Sequence, residues 1–201
     1  IYGDRRLDIA VATPGGAQLY QQNANQAGWW PDAASHVAFT DANSDGRLDL
    51  LAATAGGGIS LYLNQAGVLN PIAAFTTQET GEVRSLAVAD FNRDFYPAFA
   101  VAFVNAPARV FLNNKNNSFT SLWDTETVSD TRSVAWGDYN IDGYVDLAVG
   151  NYQQGTQIYR NISGTLSADP VWSSPTLSKT TALAWGDWDN DGYPDLAIGN
   201  D

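Results

Sequence analysis

Short apolar segments alternate along the chain with stretches rich in Gly, Asn, Asp and Gln. The apolar segments contain many β-branched and aromatic residues, and turn-forming residues separate them, a combination that favours β-strands. No stretch shows the 3.6-residue apolar periodicity of an amphipathic helix. The pattern therefore predicts an all-β chain.

The strand pattern repeats along the chain. In each repeat a first and a second apolar segment flank an Asp-rich stretch, a third segment carries an aliphatic–aromatic pair, and a fourth carries a large aromatic residue. The Asp-rich stretches end at Asp8, Asp49, Ala98, Asp146 and Asp195, which lie 41, 49, 48 and 49 positions apart. Four strands in about 49 residues are typical of one β-propeller blade. We predict a whole or partial β-propeller of four to five blades, with repeats near residues 1–34, 35–83, 84–131, 132–180 and 181–201 and with the first and last incomplete.

Aromatic residues mark the outer strands of these repeats. The aliphatic–aromatic pairs of the third segment are Leu19-Tyr20, Leu61-Tyr62, Val110-Phe111 and Ile158-Tyr159. The fourth segment carries Phe75, Trp123 or Trp172, and in the shorter first repeat we assign this role to Trp29 and Trp30. Their regular spacing predicts core packing, and stacking on sugars is the alternative.

Three of the Asp-rich stretches share one oxygen-ligand pattern. Loop 2 is Asp41–Asp49 (DANSDGRLD), loop 4 is Asp138–Asp146 (DYNIDGYVD) and loop 5 is Asp187–Asp195 (DWDNDGYPD). Each has Asp or Asn at positions 1, 3, 5 and 9 and Gly at position 6, which can curl the backbone around one point. Such a dense set of oxygens suits Ca²⁺ better than Mg²⁺, which prefers few carboxylates and several waters. The alternative is a polar hairpin turn that binds no metal.

Two further stretches hold damaged versions of the pattern. Loop 3, Asp90–Ala98 (DFNRDFYPA), has Phe95 in place of the glycine and Ala98 in place of the last carboxylate. Asp4–Asp8 (DRRLD) matches the back half of a loop. We therefore expect about three calcium sites and regard these two as doubtful. An EF-hand is excluded, because its position-12 glutamate is replaced by Ala52, Val149 or Ile198.

Net charge and composition argue against several classes of function. The formal net charge is −12, and ten of the 22 acidic residues belong to loops 2, 4 and 5. Three bound Ca²⁺ ions would bring the charge to −6, so metal sites account for much of the acidity, which argues against nucleic-acid binding. No apolar run is long enough to span a membrane. There is no cysteine, and His36 is the only histidine, so no catalytic constellation is identifiable and we expect a protein that is not an enzyme.

The string from Val134-Ala135-Trp136-Gly137-Asp138 through Asp146 to Asn151 resembles the FG-GAP/VCBS repeat of integrin α-subunit propellers and of many bacterial exported proteins. The resemblance implies a propeller whose calcium loops join the first and second strands of a blade, with the position-7 carbonyl as a further ligand. The implied metal ligands are Asp41, Asn43, Asp45, Arg47 and Asp49; Asp138, Asn140, Asp142, Tyr144 and Asp146; and Asp187, Asp189, Asp191, Tyr193 and Asp195.

The same resemblance implies an extracellular, secreted or cell-surface module for binding, adhesion or assembly, with a protein or glycan partner. A polysaccharide lyase or hydrolase, or a glycan-binding lectin, is the rival interpretation. The chain enters the pattern at a second strand and leaves it after a second strand. We therefore expect a neighbouring chain, or further parts of the same chain, to complete the sheet. Asn116 and Asn161 each begin an N-glycosylation acceptor pattern.

Overall fold

The computed structural model of the protein describes residues 8–21, 25–30, 33–54, 56–126 and 129–201. Within these ranges the chain forms nineteen strands and no helix, so no helix of the described part could cross a membrane. The all-β prediction is confirmed. Of the predicted half loop Asp4–Asp8, only Asp8 belongs to the described residues.

Most strands are short, as the spacing of the apolar segments predicts. Their bounds are β1 Ile9–Thr13, β2 Gly16–Gln21, β3 Asn25–Trp30, β4 Ala34–Thr40, β5 Asp49–Thr54, β6 Ile59–Tyr62, β7 Asn64–Gln65, β8 Val68–Leu69, β9 Phe75–Thr76, β10 Val83–Ala89, β11 Ala98–Phe103, β12 Ala106–Asn113, β13 Phe119–Asp124, β14 Asp130–Gly137, β15 Asp146–Gln154, β16 Gln157–Tyr159, β17 Trp172–Ser173, β18 Ser178–Gly186 and β19 Asp195–Asn200.

The strands pair in sequence order into antiparallel sheets. One sheet has the order β1-β2-β3, a second β4-β5-β6-β9 and a third β10-β11-β12-β13. In the fourth sheet, β14 pairs with β15, β15 with β16, and β16 with β17. The C-terminal end of β15 also pairs with the start of β18, and β18 pairs with β19. A small hairpin of β7 and β8 accompanies the second sheet. Each of the first three sheets is therefore built from strands close in sequence, and the fourth sheet also includes the β18–β19 hairpin. The bounds of the repeats stay a prediction.

Loops 2, 4 and 5 each connect the two strands of a hairpin. The last residue before each loop pairs with the loop's ninth residue, as in Thr40 with Asp49 and Gly137 with Asp146. Because the two strands are in register up to this point, each loop is closed at its base. These loops therefore lie between successive antiparallel strands, β4 and β5, β14 and β15, and β18 and β19.

The chain divides into two compact units. The first contains Ile1–Val83 and Leu112–Thr120, and the second contains Arg84–Phe111 and Ser121–Asp201. Leu19, Leu50 and Tyr62 lie in the core of the first unit. The core of the second unit includes Phe99 and Leu147, both fully buried.

Within the second unit, the first strands of successive repeats contact each other in a repeated way. The indole Nε1 of Trp136 on β14 donates to the carbonyl of Ala87 on β10 at 3.2 Å. The indole of Trp185 on β18 donates in the same way to Ala135 on β14, again at 3.2 Å. The near-49-residue period thus appears as a repeated side-chain contact between neighbouring repeats.

Gly57 lies in the turn between β5 and β6, where the backbone of another turn passes very close to it. A Cβ on Gly57 would lie 2.3 Å from the carbonyl oxygen of Gly81, and its φ of +98° is unfavourable for other residues. We expect Gly57→Ala to lower the free energy of unfolding by about 2 kcal/mol in a urea melt. The neighbouring Gly56 has open space around its Cβ position and serves as the control. An equal cost for Gly56→Ala would contradict this explanation.

Candidate metal centres

In loops 2, 4 and 5 the first aspartate organises the turn. In loop 4, Asp138 Oδ1 accepts the N–H of Asp142 at 3.0 Å and Oδ2 accepts the N–H of Gly143 at 2.8 Å. The corresponding pairs of bonds are 3.0 and 2.8 Å in loop 2 and 3.2 and 3.1 Å in loop 5. Both oxygens of this carboxylate therefore fix the backbone of positions 5 and 6, which keeps the loop curled.

The curl requires a left-handed backbone at positions 4 and 6. Position 6 is Gly46, Gly143 or Gly192, with φ of +83°, +88° and +89°. Only glycine adopts this region without a Cβ penalty, which explains why position 6 is glycine in all three loops. Position 4 is also left-handed, with φ between +56° and +59°.

The ninth aspartate joins the loop to the sheet. In repeat 4, Asp146 Oδ1 accepts the N–H of Asn161 at 2.7 Å and Oδ2 accepts the N–H of Tyr139 at 3.1 Å. In repeat 2, Asp49 accepts the N–H groups of Asn64 and Ala42 at 2.8 and 2.9 Å. One carboxylate therefore ties the loop to the end of the third strand.

These ninth aspartates are buried, which changes their acidity. Asp49 and Asp146 have no exposed surface. Desolvation raises the pKa of Asp146 to about 6 and also raises the pKa of Asp49. The negative charges of the neighbouring loop carboxylates add a smaller upward shift. The two N–H bonds that each carboxylate accepts act in the opposite direction and lower its pKa. A buried negative charge costs free energy that a bound cation would offset.

The carboxylates of loop 5 have the spacing that a calcium ion requires. One oxygen from each of Asp187, Asp189 and Asp195 lies within 4.8 Å of the others. Calcium–oxygen distances of roughly 2.3–2.6 Å place two ligands of one ion at most about 5 Å apart. The residues of loop 5 therefore fit Ca²⁺. Loops 2 and 4 share the same backbone bonds and have an asparagine at position 3.

The predicted position-7 ligands lie within the same turns. The N–H groups of Arg47, Tyr144 and Tyr193 donate to the position-5 carboxylate of their own loop, at 2.9, 3.0 and 2.8 Å. In loop 2 the guanidinium of Arg47 also pairs with Asp45, at 2.5 Å. The assignment of their carbonyls as ligands stays a prediction.

A model for the FG-GAP-like repeat matches residues 41–101 and 138–198. The chain belongs to the FG-GAP-like repeat family. Both matched segments start at the first aspartate of a loop and extend into the second strand of the next repeat, as the sequence pattern predicts. None of the curated proteins matches the chain.

Solved structures support a β-propeller-like fold for this FG-GAP chain. Two similar structures are crystal structures of BBS1N in complex with ARL6DN, one soaked with mercury and one with lead. The alignment with the mercury-soaked structure has a TM-score of 0.64 and 14% sequence identity, and it covers 96% of this chain. The alignment with the lead-soaked structure has a TM-score of 0.68 and 13% sequence identity, and it covers 99% of this chain. This chain spans 60% and 59% of the length of those two chains.

Loop 3 retains part of the FG-GAP loop geometry. Asp90 accepts the N–H groups of Asp94 and Phe95, both at 2.9 Å, as the first aspartate does in the other loops. Phe95, at the glycine position, has a φ of +68° and is 82% exposed. Ala98 is buried and supplies no carboxylate to receive N–H groups. The turn therefore forms without two features of the intact loops.

Asn64, Asn113 and Asn161 each lie two positions after the third-segment aromatic residue. The structure gives two of them a role that the sequence alone does not indicate. In the structure Asn113 Nδ2 donates to the carbonyl of Ala42 in loop 2, and Asn161 Nδ2 donates to Phe91 in loop 3, both at 2.7 Å. Each of these two asparagines therefore links its repeat to the loop of the preceding one. Their constant spacing from the ninth loop position is the signal that could have identified them.

The structure also places the predicted glycosylation asparagines, two fourth-segment tryptophans and the single histidine. Asn161 is fully buried, so its acceptor pattern is inaccessible in the folded chain, whereas Asn116 is exposed. Trp123 is half-buried and packs edge-on against Tyr159, with ring centroids 4.8 Å apart. Trp172 remains 42% exposed. His36 lies on β4 with Nδ1 3.2 Å from the hydroxyl of Ser35.

Proposed function

We propose that the chain is a calcium-binding β-propeller module that binds or assembles with other macromolecules and is not an enzyme. The observation that carries the calcium proposal is the convergence of Asp187, Asp189 and Asp195 within 4.8 Å, in a loop whose backbone bonds recur in loops 2 and 4. We propose one Ca²⁺ in each of these three loops, with the ligand sets predicted from the sequence.

The proposed role of calcium is structural. Three or four carboxylates in one short turn repel one another, and a bound cation removes that repulsion. Because the ninth aspartate of loops 2 and 4 also holds the third strand, calcium would stabilise a hairpin and the strand beside it. A cation that binds only the folded state stabilises it by mass action.

One comparison supports a binding or assembly role. The similar BBS1N structures are complexes with ARL6DN, so their fold can present a surface to a protein partner. We propose a protein or glycan partner for this chain as well. The proposed location is extracellular, because the millimolar calcium found there suits sites of modest affinity.

Calcium titration of the metal-stripped chain tests the proposal. Isothermal titration calorimetry should give about three calcium ions per chain. The double variant Asp187→Asn, Asp189→Asn should remove one of them, because it neutralises two carboxylates of loop 5. Asp124→Asn, which neutralises an exposed acid on β13, is the control and should leave the stoichiometry unchanged. A stripped chain that takes up no calcium at millimolar concentration would overturn the proposal.

A further inference from the structure

In two of the proposed calcium loops, an arginine of the chain already pairs with the carboxylate at position 5. In loop 4, Arg160 Nη2 lies 3.2 Å from Asp142 Oδ2. In loop 2, Arg47 Nη2 lies 2.5 Å from Asp45 Oδ2. Both carboxylates are proposed metal ligands. In each of these loops a positive charge of the chain itself therefore lies next to the place proposed for the ion.

The two arginines come from different places in the repeat. Arg47 is position 7 of its own loop, where loop 4 has Tyr144. Arg160 directly follows the third strand, β16, and the equivalent residue of repeat 2 is Leu63. The two repeats thus bring a guanidinium to the same carboxylate from positions that are not equivalent. The contact is therefore not a simple consequence of the repeat pattern.

The paired oxygen also faces another proposed ligand. In loop 4, Asp142 Oδ2 accepts a hydrogen bond from Asn140 Nδ2 at 3.0 Å, and Asp45 Oδ2 accepts one from Asn43 at 3.0 Å in loop 2. The other oxygen, Oδ1, accepts the position-7 N–H inside the turn. Oδ2 is therefore the oxygen that lies toward position 3. A calcium ion bound by positions 3 and 5 would compete with the guanidinium for it.

These ion pairs add little to the stability of the fold. In each pair 44% of the arginine side chain is exposed, together with 30% of Asp142 and 26% of Asp45. Ion pairs this exposed contribute little free energy, because water screens their charges. We expect their larger effect on a divalent cation, because a nearby guanidinium repels the ion and also holds one of its ligands.

A second guanidinium lies beside loop 4. Arg93, at position 4 of loop 3, has its guanidinium carbon 5.3 Å from the centre of the Tyr144 ring. Its Nη1 lies 3.0 Å from the place that a Cβ on Gly143 would occupy. Two positive charges therefore lie close to loop 4, one from its own repeat and one from the preceding repeat.

We propose that Arg160 and Arg47 are built-in competitors of calcium, which hold the position-5 carboxylates of loops 4 and 2 until the ion displaces them. They weaken calcium binding and so set the calcium concentration at which each loop fills. Arg93 weakens binding in loop 4 further through its charge. This inference rests on the proposed calcium sites and names how their affinity is regulated.

The calcium affinity of loop 4 alone tests the inference. In the full chain with Asp41→Asn and Asp187→Asn, loop 4 is the one unaltered loop of the three proposed sites, and calorimetry gives its dissociation constant for calcium. Adding Arg160→Gln should tighten calcium binding at least fivefold, because it removes the competing charge. Arg160→Lys keeps that charge and should change the affinity less than twofold.

A matched control removes the same charge far from loop 4. Lys179 pairs with Tyr152 on β15, six residues or roughly 20 Å along the strand from Asp146. Lys179→Gln should therefore leave the calcium affinity unchanged. Equal tightening by Lys179→Gln and Arg160→Gln would assign the effect to net charge and overturn the proposal. Weaker binding in Arg160→Gln would also overturn it, because the arginine would then orient the ligand rather than compete for it.

Loop 2 gives an independent repetition. With Asp138→Asn and Asp187→Asn in the full chain, Arg47→Gln should tighten the remaining site at least fivefold. In the chain reduced to loop 4, Arg93→Gln should tighten binding by a smaller factor, because Arg93 contacts no carboxylate of that loop in the listed geometry of Tyr144 and Gly143. No change in either Arg47→Gln or Arg160→Gln would overturn the proposal.

Calcium uptake separates this inference from the calcium proposal. If the chain reduced to loop 4 binds one ion and Arg160→Gln binds it no more tightly, the calcium proposal stands and the competitor role fails. If neither chain takes up calcium at millimolar concentration, both proposals fail.

Discussion

Chelation of calcium should lower the free energy of unfolding by several kcal/mol. At a calcium concentration 100 times the dissociation constant, each site contributes about 2.7 kcal/mol, so three equivalent sites contribute about 8 kcal/mol. Urea melts with excess EDTA and with millimolar calcium, followed by tryptophan fluorescence, should therefore have widely separated midpoints. The two curves are comparable as free energies only if each shows a single transition.

A variant without the first loop aspartates controls for this effect. Asp41→Asn, Asp138→Asn and Asp187→Asn together remove one charge from each proposed site and leave an amide oxygen in the turn. The melt of this triple variant should hardly respond to chelator. Identical midpoints for the unaltered chain with and without calcium would refute a stabilising role for the metal.

Asp146→Ala should be far more costly than Asp195→Ala, although both replace the ninth residue of a loop. Asp146 is buried and accepts two backbone N–H groups, each of which would lose its acceptor at about 1–3 kcal/mol. Asp195 is exposed and accepts one N–H, which water can replace. In calcium we expect the free energy of unfolding to fall by about 2 kcal/mol more for Asp146→Ala.

The same pair of variants tests the ligand assignment independently of stability. Each should lose one calcium ion per chain, because each removes a proposed ligand from one loop. Equal destabilisation by the two variants would contradict the structural role of Asp146. Unchanged stoichiometry in both would contradict the assignment of position 9 as a ligand.

The repeat pattern predicted most of the fold because each hairpin is determined by residues that lie close together in the sequence. Hairpins such as β4–β5 and β14–β15 follow from two apolar segments around a loop whose glycine and aspartates define the turn. Calcium binding and the number of blades stay predictions. The β7–β8 hairpin was missed, because its strands have two residues each and its turn at Ala66 and Gly67, both with positive φ, has no apolar pattern.

Contacts between distant residues were less predictable. Asn161 bonds Phe91 across 70 positions, and nothing in the local sequence indicates that partner. Trp123 and Trp172 occupy equivalent places in the sequence pattern and differ in burial, because burial depends on the strand that packs beside each one. The sequence identifies candidate core residues, whereas the neighbouring strand decides which are enclosed.

The asparagine links bear on how such an array can lengthen or shorten. Asn113 reaches loop 2 across 71 positions and Asn161 reaches loop 3 across 70, so each repeat brings the side chain that joins it to the repeat before. If one whole repeat is duplicated or lost, the same hydrogen bond between an asparagine and the loop of the preceding repeat can form again, wherever in the repeat the cut lies. An insertion between a loop and the asparagine that reaches it would instead have to loop out of the sheet. Gene duplication can therefore change the length of this architecture in whole steps without inventing a new interface.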